Sequence, residues 1–171
     1  MSGNHRARIE VAIALAWVAA AAQADPVYTA QLDGAQNLPE PVTTAAKGTI
    51  ELALSADRKS VAYKVYVEKL SNPSAADVHL GAASQNGPLV VKLWPKGTAA
   101  PRKGEVSGLL ASGTFDAGDL VGPMTGATVA ELIEELEAGN LYVNVHTHDG
   151  VDPPNSGPGD YRLGEIRGHV R

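Results

Sequence analysis

The chain has 171 residues, with 14 Lys and Arg against 19 Asp and Glu, a formal net charge of -5. It has no cysteine, which excludes disulfide bracing and thiolate chemistry. No basic patch stands out, and that argues against a nucleic-acid partner.

In chain order, residues 1–24 read as a secretory signal peptide. Arg6 and Arg8 form a positive start, Val11 to Ala22 an apolar run, and Ala22-Gln23-Ala24 a small-residue cleavage site. The apolar run is too short for a membrane span. The expected mature chain, residues 25–171, is periplasmic or secreted and not held in a membrane. Without Arg6, Arg8 and Glu10 it carries 12 basic and 18 acidic residues, a net charge of -6. Its length suits one domain with a real core.

Alternation of period two dominates the rest of the chain. In KGTIELALS, Ile50, Leu52 and Leu54 share a face. In SVAYKVYVEKL, Val61, Tyr63, Val65 and Val67 do so, opposite Lys64, Tyr66 and Glu68. These are half-buried strands, and SADRKS between them is a hairpin turn. PLVVKLW places Leu89, Val91 and Leu93 together. One segment has helical spacing instead. In GATVAELIEELEAGN, Thr128 and Glu131 form a capping box, Val129, Leu132, Ile133 and Leu136 recur at helical spacing, and Gly139 suits the C-terminal stop. LYVNVHTH returns to alternation, with Tyr142, Asn144, His146 and His148 on one face. Tyr142 reads most simply as a core or rim aromatic, and it lies near any metal bound on that face if its face is the site face. DGVDPPNSGPGDY is a surface loop. Many short strands and one helix predict an all-β fold, an antiparallel β-sandwich with one short helix.

The order of motifs resembles the CHRD domain, named after chordin and found in bacterial exported proteins. The motifs that carry it are AADVHLGAASQNGPLVVKLW, GTFDAGDL, LIEELEAGNLYVNVHT and the closing GEIRGHV. The resemblance runs from Tyr28 to Arg171, so residues 25–171 are expected to be one CHRD domain. It implies an immunoglobulin-like or superoxide-dismutase-like sandwich. Where the family has His-x-His, this chain has Asp77-Val78-His79, and His148 extends the family's His-Thr.

Four histidines lie beyond residue 24: His79, His146, His148 and His169. His146 and His148 are in phase on one strand, and Asp77 and His79 have the same spacing on another. If those strands are neighbours, Asp77, His79, His146 and His148 can converge on one ion. Three imidazoles and a carboxylate suit copper, with zinc as the alternative. His169 reads as a surface residue. Glu165 and Arg167 read as an ion pair or hydrogen-bonded anchor closing the last strand.

Three functions are compatible with these features. The first is an exported metal-binding protein. The second is a protein-interaction module in which the histidines are structural and the long loop meets a protein partner. The third is a dismutase-like redox enzyme, with Arg162 or Arg167 attracting a small anion. A homodimer formed through an edge strand is compatible with each.

Overall fold

In the computed structural model the described residues are 27–171. The expected signal peptide lies outside them. Eight strands form in chain order: β1 (Val27–Asp33), β2 (Lys47–Leu54), β3 (Ser60–Ser71), β4 (Pro73–Leu80), β5 (Leu89–Trp94), β6 (Glu105–Asp116), β7 (Leu141–Thr147) and β8 (Ile166–His169). One α-helix, α1 (Val129–Glu137), precedes β7. All strand pairs are antiparallel, and the sheet order is β5-β4-β7-β8-β1-β2-β3-β6. The expected all-β class with one short helix is what the chain adopts. All eight strands belong to one hydrogen-bonded sheet, curled until β5 and β6 approach each other.

Side-chain bridges span that approach. The Tyr63 hydroxyl on β3 donates to the Leu93 carbonyl on β5 at 2.6 Å. Arg102 lies over the Trp94 ring at 5.9 Å and donates to the Leu110 carbonyl of β6.

The alternating sequences place their apolar halves inside. Ile50, Leu52, Leu54, Val61, Tyr63, Val65 and Val67 are buried, and Glu51, Ala62, Lys64, Tyr66 and Glu68 between them are exposed. Each buried aliphatic side chain contributes about 1.5–3 kcal/mol over its exposed state. β5 departs from simple alternation, because Val90 and Trp94 are buried as well as Val91 and Leu93. Its register with β4 slips twice, and Val121 N–H donates to the Val90 carbonyl across the strand. The helix forms as its caps predict. The Thr128 side chain accepts from Glu131 N–H, and the Glu131 carboxylate accepts from Thr128 N–H. Gly139 ends it at φ 78°, a conformation that favours glycine. Val129, Leu132, Ile133 and Leu136 bury its inner face.

For function, the relevant part is the run β4-β7-β8. β7 lies between the other two, with Asp77 opposite Asn144, His79 opposite Tyr142, Asn144 opposite Arg167 and Tyr142 opposite His169. These residues therefore meet on one face of three adjacent strands. No helix among the described residues is long and apolar enough to cross a membrane.

Candidate metal centre

Asp77 and His79 stand two apart on β4, so both side chains leave the strand on the same side. His146 stands on β7, opposite Ala75. One ligand atom from each of Asp77, His79 and His146 lies within 4.8 Å of the other two. His146 Nε2 is 3.6 Å from Asp77 Oδ2, and these two side chains are only 15% and 13% exposed. Ligands at ~2.0–2.2 Å from a tetrahedral ion lie about 3.4 Å apart, so this pair already has the spacing of two ligands.

The two imidazoles are oriented in the same way. His79 Nδ1 is 3.0 Å from the Gly87 carbonyl, and His146 Nδ1 is 3.0 Å from the Arg162 carbonyl. A carbonyl oxygen only accepts, so each Nδ1 carries the proton and each neutral ring keeps its lone pair on Nε2. Both Nε2 atoms are buried without a hydrogen-bond partner, as is Asp77 Oδ1. Histidine ligands to metals are typically held this way, with the far nitrogen donating to a backbone carbonyl.

The electrostatics suit a cation. Burial lowers the His79 pKa, opposed by its bond to Gly87 and assisted by the Arg167 charge. Burial likewise lowers that of His146, opposed by Arg162 and assisted by His79. Both rings are neutral at neutral pH and can act as Lewis bases. Burial pushes Asp77 up to about 6, against a smaller opposing effect of Lys92. Asp77 is a carboxylate that this environment leaves short of positive charge.

His148 goes elsewhere. β7 ends at Thr147, and His148 N–H donates to the Asn72 carbonyl. The His148 ring turns to Asp160, with Nδ1 3.1 Å from Oδ1, and forms a separate group with Asp149 and Asp160. The expected four-residue convergence is therefore a three-residue one. The cause is that the strand alternation stops one residue before His148. Asp160 is held down to about 2, first by the Ser156 backbone N–H and then by His148.

Glu165 and Arg167 do not pair with each other. The buried Glu165 carboxylate accepts from Thr44 Oγ1, Thr147 Oγ1 and Gly159 N–H. It is thus the hydrogen-bonded anchor of the two alternatives, joining three chain segments ahead of β8. Arg167, 1% exposed, donates to the Asn86 side chain and the Gln85 carbonyl. His169 is partly buried, with its ring 5.5 Å from Tyr142 and Nε2 3.3 Å from Arg167 Nη2. Tyr142 is buried, and its face is that of His79 and His146. Its ring stacks on His79 at 5.0 Å, and its hydroxyl meets Gly87. The signal available in the sequence is its position on the His146 face.

The buried side-chain polar atoms without a partner among the described residues are Asp77 Oδ1, His79 Nε2, Asn144 Oδ1, His146 Nε2, Arg167 Nε and His169 Nδ1. Every one belongs to β4, β7 or β8. Native interiors leave few such atoms unpaired, so their confinement to one face marks a place where folding alone does not account for the residues.

A family model for the CHRD domain matches residues 28–153. No curated protein and no solved structure matches the chain. The match takes in β1 to β7 and with them Asp77, His79 and His146. The chain belongs to the CHRD family. β8 lies past the matched residues, yet it pairs with both β7 and β1 and completes the sheet.

Proposed function

We propose that this CHRD-family chain is an exported metal-binding protein whose ligands are Asp77, His79 and His146. One observation carries the reading. Two partly buried imidazoles, each fixed by a backbone carbonyl at Nδ1 and each with a bare Nε2, bring a ligand nitrogen within 4.8 Å of the partly buried Asp77 carboxylate. Two imidazole nitrogens and a carboxylate oxygen suit Cu(II) or Zn(II). Copper is the leading candidate and zinc the alternative. A bound cation would supply the positive charge that Asp77 lacks and would occupy both imidazole lone pairs. The role that fits is holding or delivering the ion outside the cytoplasm, with residues 1–24 as the export signal.

The test is competitive loading of metal-stripped protein with Cu(II) and Zn(II), beside the His146→Ala and His79→Ala variants. One ion per chain, lost in both variants, is the expected result. Equal uptake by the variants and the parent protein would overturn the assignment.

A further inference from the structure

We infer that Tyr142 and Arg167 are positioning residues that set the orientation of His79 through the backbone of residues 85–87. The inference deepens the proposed metal site and rests on it for its purpose. Residues 81–88 contain no helix or strand; Leu80 N–H of β4 donates to the Pro88 carbonyl, but among the described residues no backbone hydrogen bond fixes the Gly87 carbonyl that holds His79. Side chains do it instead. The Tyr142 hydroxyl accepts from Gly87 N–H at 3.0 Å and donates to the Gly87 carbonyl at 3.3 Å. Both polar groups of Gly87 are thereby tied to one phenol. Arg167 takes the two preceding residues, donating from Nη2 to the Gln85 carbonyl at 2.7 Å and from Nη1 to Asn86 Oδ1 at 2.8 Å. Three consecutive loop residues are clamped by β7 and β8, and the third presents its carbonyl to His79 Nδ1.

The rings reinforce the clamp. The His79 and Tyr142 rings lie 5.0 Å apart and 13° from parallel. The Arg167 guanidinium sits 3.7 Å from the Tyr142 centroid. A strand that needed only to fold would place an apolar side chain at position 167. Arg167 is buried without a carboxylate within ion-pair distance among the described residues. What the guanidinium adds is a planar fork that reaches two points of one loop while stacking on a ring. Gly87 itself has no room for a side chain, because a Cβ there would run into the Leu80 carbonyl.

His146 is an internal control, because its carbonyl partner Arg162 belongs to a different loop. The experiment is 15N–1H correlation of the histidine rings in metal-stripped protein at neutral pH, then Cu(II) titration of the same samples. The parent protein should show both His79 and His146 protonated at Nδ1. Tyr142→Phe keeps the stacked ring and removes the hydroxyl. It should convert His79 to a mixture of tautomers, leave His146 unchanged and weaken Cu(II) binding by roughly 10- to 100-fold. Arg167→Lys, which cannot fork, should move His79 in the same direction and serves if Tyr142→Phe does not fold. Overturning results are a His79 tautomer untouched by both variants, or His79 and His146 shifting together as in general loosening. If the parent protein takes up no Cu(II), the metal reading fails, while the His79 tautomer still decides the positioning role.

Discussion

Replacing Asp77 by Asn should stabilise the metal-stripped protein. Burial raises the Asp77 pKa from 3.8 to about 6, so the folded state holds its proton more tightly than the unfolded state does. A raised carboxylate pKa means that stability falls as pH rises from about 4 to about 6, because only the unfolded chain ionises freely there. Above that window the penalty is complete. A shift of roughly 2 units at ~1.4 kcal/mol per unit amounts to about 3 kcal/mol. Asn has the same shape and no charge to bury. Metal-stripped Asp77→Asn should therefore exceed the parent protein by about 1–3 kcal/mol at pH 7.5, a rise of roughly 3–10 °C in melting temperature for a domain of this size. At pH 4 the gap should nearly close, since the parent's Asp77 is then protonated. Scanning calorimetry at the two pH values reads the effect, and adding Cu(II) or Zn(II) should raise the parent's melting temperature and not the variant's. If Asp77→Asn is equal to or less stable than the parent at pH 7.5, the carboxylate is compensated within the fold, and it does not await a cation.

Metal affinity should fall by about tenfold from Asp77 alone between pH 7.5 and pH 5, since an acid of pKa about 6 must lose its proton to bind. Titration calorimetry in matched buffers would show it, and a flat profile would remove Asp77 from the ligands. His148→Ala should leave metal stoichiometry and affinity within about twofold, because its ring is committed to Asp160. The same substitution should speed proteolysis in residues 149–163; lost metal binding would place His148 among the ligands after all. Glu165→Ala leaves Thr44 Oγ1, Thr147 Oγ1 and Gly159 N–H without their acceptor. It should cost about 2–4 kcal/mol in urea unfolding, and a loss below about 0.5 kcal/mol would mean that Glu165 does not anchor the segments it touches.

Much of the fold is legible in the sequence because a few strands obey one rule at a time. β2 and β3 alternate strictly, and their buried and exposed faces match that pattern. The helix has its capping box, its apolar stripe and its terminal glycine. β6 is different. In EVSGLLASGTFD, alternation is broken by Gly108 at φ 109° and by register slips against β3, so the longest edge strand has no clean pattern. The candidate site is legible to the same degree. Period two puts Asp77 with His79 and His146 with Asn144. It cannot say that β4 and β7 are neighbours, because that pairing spans the helix and two other strands. It cannot say where β7 stops, and the placement of His148 depends on that. The carbonyls of Gly87 and Arg162 carry no side-chain signature at all; only folded loops bring them to the rings.

The physical reason to look for a ligand on this face is a conflict between levels. Across β1, β2 and β3, pattern, burial and hydrogen bonding agree. Across β4, β7 and β8, the same sheet wholly or partly buries a carboxylate, three imidazoles, an amide and a guanidinium and leaves one buried atom of each without a partner. Unpaired buried polar atoms typically cost about 1–3 kcal/mol each, which is large beside a net stability of about 5–15 kcal/mol. Substitution by apolar residues would relieve that cost. Their presence in one cluster, with two rings held at the correct nitrogen, is the departure from local consistency that functional sites show. On the proposed reading, a cation at Asp77, His79 and His146 would give partners to the bare Nε2 atoms of both histidines and a counter-charge to the carboxylate. The guanidinium of Arg167 is turned to the 85–87 loop, where it bonds the segment whose Gly87 carbonyl holds His79.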